Sequence, residues 1–70
     1  MDKSSISTKY NPADVILVDF HIDREILMVL AVVYQKGTYK YKLMSLSDNG
    51  CITYDYVDDV DKMWKTELLV

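Results

Sequence analysis

The chain has 70 residues, a net charge of −3 at pH 7 and a single cysteine, Cys51. A chain of this length holds one small domain, and one cysteine excludes an intrachain disulfide, which fits a reducing compartment such as the cytoplasm. Cys51 and the one histidine, His21, are too few ligands for a zinc site, so we expect no metal and no cofactor. The longest apolar run, residues 26–34, is about half of the ~20 residues that a membrane helix needs, so no membrane contact is expected.

The acidic residues lie mainly towards the C-terminus. Residues 48–70 hold six acidic and two basic residues, whereas residues 1–47 are nearly balanced. The sequence shows no basic stripe of the kind that is typical of nucleic-acid-binding proteins. A nucleic acid is therefore a less favoured partner than a protein, although the alternative stays open.

Residues 1–13 mix small polar residues with one proline and show no apolar periodicity. They are predicted to form a flexible N-terminal arm, which leaves residues 14–70 as the single domain. Between residues 14 and 22 every second residue is apolar, so one face of an extended chain would be fully apolar. This period of two predicts the first strand.

Residues 26–34 are apolar on both faces and rich in β-branched side chains, which favours a central strand. A helix over about residues 24–35 is the alternative, because Leu, Met and Ala are good helix formers and periodicity does not distinguish a buried helix from a buried strand. The helix would change the fold to a β-α-β-β-α arrangement.

Two turn signals follow this run. Gly37 marks a tight turn, and the pair Asn49-Gly50 is the strongest short-range signal for a β-hairpin. The segments around the second turn, residues 39–46 and 51–57, both alternate in the manner of strands. A β-hairpin is predicted here.

The last segment begins with carboxylates, which are typical of a helix N-terminus because they accept amide hydrogen bonds and oppose the positive end of the helix dipole. Apolar residues then follow at helical spacing, which predicts a helix that buries Trp64 against the sheet: Val60, Met63, Trp64 and Leu68. The predicted fold is α+β: a four-stranded antiparallel meander, with a small, partly open barrel as a variant, and one C-terminal helix packed on it.

Four carboxylates fall within seven residues: Asp55, Asp58, Asp59 and Asp61. Their spacing does not match a calcium-binding loop, which has a regular series of ligands and a glycine at its bend. Helix capping and solvation are the favoured interpretation, and an acidic binding surface is the alternative. Such a surface would suit a protein partner with a basic surface.

Tyr39 and Tyr41 are the tyrosines that we select as partner-binding anchors, because tyrosine is enriched in protein interfaces. Together with Tyr54, Lys40 and Lys42 they would also provide an aromatic and basic surface for stacking unpaired bases. The two lysines alternate with Tyr39 and Tyr41 along one strand and so lie on its opposite face, which disfavours stacking on these tyrosines.

Neither His21 nor Cys51 has the sequence neighbours that catalysis would need, so we assign no catalytic residue and do not expect an enzyme. The leading hypothesis is a small protein-binding module that inhibits or regulates a larger macromolecule, and single-stranded nucleic-acid binding is the alternative. The small core and the strand that is apolar on both faces predict self-association as a two-fold homodimer. The layout of tight hairpins, a tyrosine-rich strand and an acidic helix start resembles very small phage-encoded accessory proteins, which would imply a phage or mobile-element origin and a location in the host cytoplasm.

Overall fold

The computed structural model describes residues 8–70, which form one antiparallel sheet and a short helical turn. The strands, in chain order, are β1 Val15–Asp19, β2 Arg24–Gln35, β3 Thr38–Ser45, β4 Ile52–Tyr56 and β5 Lys65–Leu68. A π-helical turn, Asp59–Met63, connects β4 to β5. The architecture is mostly antiparallel sheet with little helix, which agrees with the predicted small α+β fold in its broad outline.

The strands lie side by side in the order β4-β3-β2-β1-β5, and every neighbouring pair is antiparallel. The first four strands form the predicted meander. The fifth strand, which the sequence did not predict, adds to the edge of β1. Because β4 and β5 are the two outer strands of the described sheet, the sheet is open and does not close into a barrel.

The predicted central strand is confirmed, since the run 26–34 lies within β2. A bulge between Val29 and Ala31 interrupts its pairing with β3. A bulge shifts the alternation of side chains by one residue, so Val29 and Val32 both pack on the core side. One strand therefore presents apolar side chains to both faces of the sheet, and this is why its sequence shows no simple alternation.

The hairpin predicted at Asn49-Gly50 is confirmed, because β3 and β4 flank this turn and pair with each other. Both turn residues have left-handed backbones, with φ of 52° at Asn49 and 77° at Gly50. Asparagine and glycine are the residues that tolerate this conformation best. The loop is longer than a two-residue turn, since β3 ends at Ser45 and β4 begins at Ile52, and its register pairs Lys42 with Tyr54.

The predicted C-terminal helix is limited to the single π-helical turn. Trp64 already has an extended backbone (φ −86°, ψ 147°), and the residues after it pair with β1. An isolated short helix is marginal in water, whereas a strand here satisfies the backbone groups of β1 that would otherwise form a free edge. Within residues 8–70, no helix has the length and the apolar composition needed to cross a membrane.

One face of the sheet carries the core. The helical turn and the segment 8–13 cover this face, and Trp64 packs at its margin, half-buried instead of central. The buried apolar side chains are Tyr10, Ile16, Val18, Leu27, Val29, Tyr41, Leu43, Val57 and Val60. The core is therefore a single layer of side chains, which is consistent with the low stability expected of a domain this small.

The segment that precedes β1 contributes to this core. Residues 1–7 of the predicted flexible arm lie outside the described residues, but residues 8–13 pack on the sheet. Tyr10 is only 2% exposed, and the amide of Ala13 donates a hydrogen bond to the carbonyl oxygen of Val29 at 2.7 Å. The structured domain thus begins before residue 14, because Tyr10 supplies apolar cover that the polar sequence around it does not reveal.

Candidate interaction surface

The two faces of the sheet differ in how they are covered. Among the described residues, no strand or helical turn packs on the face opposite the core, and we call this face the open face. The strand registers place on it the apolar residues Val15, Leu17, Ile26, Met28, Ala31, Val33, Met44, Ile52, Tyr54 and Tyr56. Contiguous apolar patches on a protein surface typically mark interaction sites.

The most exposed apolar part of the open face runs along β4. Ile52, Tyr54 and Tyr56 are 47%, 46% and 50% exposed. Lys42 lies beside Tyr54 and Lys40 beside Tyr56 in the β3–β4 register, and the Nζ of Lys40 is 4.8 Å from the centre of the Tyr56 ring. Aromatic rings and positive charges therefore share this part of the surface.

Sequence reasoning missed this pairing of lysines with tyrosines. It correctly separated Lys40 and Lys42 from Tyr39 and Tyr41 by alternation within β3, but it did not carry the comparison across to β4. The turn signal did not supply it, because a two-residue turn at Asn49-Gly50 would pair Asp48 with Cys51, whereas the longer loop in the structure places Ser45 opposite Cys51 and so Lys42 opposite Tyr54.

A cleft of about 440 Å³ adjoins the open face beside the β2–β3 turn. Tyr39 and Tyr56 line it from the strands, and Asp58 and Asp59 line it from the start of the helical turn. Three of the predicted partner-binding residues, Tyr39, Asp58 and Asp59, therefore meet in one place. Tyr56 was not among the predicted residues, and it connects this acidic cleft to the open face because it belongs to both.

Tyr41 lies inside the protein. Its side chain is fully buried, and its hydroxyl donates a hydrogen bond to Oδ1 of Asp61 at 2.7 Å and accepts one from the amide of Tyr10 at 3.1 Å. Burial, followed by the hydrogen bond to Asp61, raises the pKa of Tyr41 to about 12. Tyr41 thus presents no surface to a partner in this structure.

Asp61 also serves the fold. Besides the Tyr41 hydroxyl, it accepts a hydrogen bond from the amide of Lys9 through Oδ2, at 2.9 Å. The hydroxyls of Tyr10 and Thr66 form a further hydrogen bond nearby. These contacts attach the segment 8–13 to the helical turn and to β5, so the Asp61 carboxylate is occupied within the chain.

Asp55 lies apart from the other predicted carboxylates. It faces the core side of β4 and lines a second cleft, of about 340 Å³, with Glu25, Phe20 and Trp64. Its Oδ2 accepts a hydrogen bond from the Thr53 hydroxyl at 3.0 Å. The acidic cluster of the sequence is therefore divided among the acidic cleft, this second cleft and the network around Tyr41.

The predicted capping role is not realised at Asp58, the N-cap residue, which makes no side-chain capping hydrogen bond. Its backbone is helical (φ −63°, ψ −36°), whereas a side-chain cap requires an N-cap residue in an extended conformation. Its Oδ1 instead lies 3.6 Å from Nζ of Lys62 in an exposed ion pair. Within residues 8–70 no group of three or more His, Cys, Asp or Glu side chains is placed to hold a metal ion.

His21 and Cys51 both lie in turns at the margin of the sheet. The backbone amide of His21 donates to Oδ1 of Asp19 at 3.1 Å, in a left-handed backbone conformation with φ of 77°. Cys51 is an exposed free thiol immediately before β4. Neither residue lies on the open face or in the acidic cleft.

Comparison with known proteins adds no family to this description, since no family model, no curated protein and no solved structure matches the chain.

Proposed function

We propose that the chain is a non-enzymatic module that binds a protein partner through the open face and the adjoining acidic cleft. The observation that carries the proposal is the row Ile52, Tyr54 and Tyr56, whose side chains are about half exposed on a sheet face with no covering element among the described residues. Burying such a row in an interface removes apolar area from water, at roughly 25 cal/mol per Å².

Charge defines the kind of partner. Asp58 and Asp59 line the acidic cleft, and Tyr56 joins the cleft to the apolar row. A partner that carries basic side chains next to an apolar patch would therefore complement both parts of the surface. The ion pair between Asp58 and Lys62 does not prevent this, because exposed pairs of this type contribute only about 0–1 kcal/mol.

A chain of 70 residues that acts by binding alone would inhibit or regulate its partner by occupying a functional surface on it. The chain offers tyrosine side chains in and beside the acidic cleft, and tyrosine is among the residues that contribute most to the stability of protein interfaces. The phage or mobile-element origin and the cytoplasmic location expected from the sequence stay part of this proposal.

The test begins with capture of the tagged protein's partner from a lysate treated with nuclease, followed by calorimetric titration of that purified partner. Replacing either Asp58 or Asp59 with lysine should weaken binding by at least about tenfold, and added salt should reduce the difference. Asp23→Lys is the matched control, since Asp23 is exposed in the β1–β2 turn and lines neither cleft. Equal affinity of the charge-reversed and control variants would contradict an acidic contact surface.

A second candidate function, binding of single-stranded nucleic acid, is favoured by one observation. The pairs Lys42–Tyr54 and Lys40–Tyr56 place positive charge beside exposed aromatic rings on the same face. Single-stranded nucleic acids bind to surfaces of this composition through base stacking and phosphate contacts. The net charge of −3 opposes such binding overall, so this function ranks second.

Fluorescence anisotropy with a labelled single-stranded oligonucleotide distinguishes the two functions. If nucleic acid is the partner, binding should be strongest at low salt and should be lost when Lys40 and Lys42 are replaced by glutamate. The double variant Lys62→Glu and Lys65→Glu, in the helical turn and at the start of β5, makes the same change in net charge away from β3 and β4 and is the control. Failure to bind the oligonucleotide at low salt would exclude this second candidate.

A further inference from the structure

We infer that a second copy of this chain pairs with the free edge of β4, in antiparallel register about a two-fold axis at Tyr54. The inference concerns the edge of the sheet and does not depend on the protein-binding function proposed above. A strand at a sheet edge presents unpaired backbone groups, which are a template for another strand.

The backbone of β4 shows which groups are available. The amide of Ser45 donates to the carbonyl oxygen of Cys51 at 2.7 Å, so this position is of the hydrogen-bonded type in the β3–β4 ladder, while the amide of Cys51 donates into the turn, to the carbonyl oxygen of Asp48 at 3.1 Å. Hydrogen-bonded and non-hydrogen-bonded pairs alternate along an antiparallel ladder. The N–H and C=O groups of Ile52, Tyr54 and Tyr56 therefore point away from β3, towards the free edge.

The two edges of the sheet differ in protection. Natural edge strands avoid association by carrying lysine, proline, bulges or charged side chains. β5 has Lys65 and Glu67, both exposed, whereas β4 contains no lysine and no proline and pairs with β3 in unbroken register. Its one charged residue, Asp55, is hydrogen-bonded to Thr53. Within residues 8–70, β4 is thus the less protected of the two outer strands.

The sequence of β4 is complementary to itself in one register. A two-fold axis at Tyr54 places Tyr54 opposite its own copy, Ile52 opposite Tyr56, and Thr53 opposite Asp55. Pairs of aromatic and β-branched side chains stabilise antiparallel strands, and like charges directly opposite each other destabilise them. This register pairs an aromatic with a β-branched side chain, Tyr56 with Ile52, and places no carboxylate directly opposite another. It also pairs every outward N–H and C=O of the three residues.

The assembly would have a consequence for the surface. Pairing at β4 uses the backbone edge and leaves the open face uncovered, so the open faces of two copies would become one continuous surface. The tyrosine rows would then lie at its centre. Such a pair also gives a small domain additional buried area, which is a common way for domains of this size to gain stability.

Sedimentation of the purified chain over a range of concentrations tests the pairing. The wild-type chain should approach a dimer mass as concentration rises. Tyr54→Lys should shift the dissociation constant upward by about tenfold or more, because it places two like charges opposite each other at the axis. Leu68→Lys is the matched control: Leu68 lies on the other edge strand, is 54% exposed and should leave the dimer intact. A wild-type monomer at all concentrations, or equal dimerisation of both variants, would overturn the inference.

Cross-linking tests the register separately. In the double variant Cys51→Ser and Tyr54→Cys, the two thiols would face each other across the axis and should form an intermolecular disulfide on mild oxidation. The native Cys51 thiols would be roughly 20 Å apart along the paired strands, so the wild-type chain should not cross-link. A disulfide through Cys51, or none in the double variant, would contradict pairing centred on Tyr54.

Discussion

Tyr41 shows how a single residue can be assigned to the correct face and to the wrong role. Alternation in the sequence places it opposite the lysines of β3, as the structure confirms. What alternation does not show is whether that face is covered. Tyr10 and Asp61 come from distant parts of the chain to bind the Tyr41 hydroxyl, and no local pattern in the sequence predicts contacts of such long range.

Tyr41→Phe removes a hydroxyl that both donates and accepts a hydrogen bond. The amide of Tyr10 and one oxygen of Asp61 would lose their partner in a buried site, so we expect the free energy of unfolding to fall by about 1–3 kcal/mol in urea denaturation. Tyr39→Phe is the control, because Tyr39 is 37% exposed, and it should change stability by no more than about 0.5 kcal/mol. Similar losses in both variants would argue against a special role for the network.

The pKa of Tyr41 predicts a loss of stability in alkaline solution. The folded pKa is raised to about 12 from an ordinary value of 10.0, so folding favours the neutral hydroxyl. Its contribution is therefore fully present below pH 10 and is lost as pH rises through about 12. Urea denaturation across this interval should show a steeper decline for the wild-type chain than for Tyr41→Phe. Parallel declines would contradict the assignment.

At the scale of elements, the β3–β4 hairpin was predictable because its determinants are local. The turn at Asn49-Gly50 and the alternation beside it lie within a short stretch of chain. The C-terminal segment was not predictable in the same way, since residues 60–68 contain apolar residues at both helical and strand spacing. The segment forms a strand because it can pair with the edge of β1. Sequence periodicity contains no information about which edge of a sheet is available for pairing.

Gly50 tests the local determinants of the hairpin. Its φ is 77°, and a Cβ atom at this position would meet no heavy atom within 4 Å. Gly50→Ala should therefore destabilise the fold by about 1–2 kcal/mol through backbone strain alone. The exposed neighbour Asp48 provides the control, since Asp48→Ala should change the midpoint of thermal unfolding only slightly. An unchanged midpoint in Gly50→Ala would mean that the turn relaxes to another geometry.

At the scale of the whole molecule, the crossover from β4 to β5 determines which surface is available. The helical turn crosses on the same face as the segment 8–13, so both cover the core side and neither covers the open face. The sequence did predict a strand that is apolar on both faces, and from it the need for a partner. It did not predict that Tyr54 and Tyr56 would be exposed on the uncovered face, because their exposure depends on which face of the sheet the β4–β5 crossover covers.

This arrangement accounts for the distribution of the predicted binding residues. Tyr39, Asp58 and Asp59 lie in the acidic cleft, and Tyr41 and Asp61 hold the fold together. The contact surface that we propose therefore keeps part of the predicted set and adds the row along β4. The proposed edge pairing would place two such surfaces side by side.

Covalent footprinting of the tyrosines, with and without the captured and purified partner, tests the central claim most directly. In the free chain, Tyr34, Tyr39, Tyr54 and Tyr56 should be labelled, whereas the buried Tyr10 and Tyr41 should not. The partner should protect Tyr54 and Tyr56 and leave Tyr34, which is 63% exposed on the other face, labelled as before. Unchanged labelling of Tyr54 and Tyr56 in the complex would contradict the open face as the contact surface.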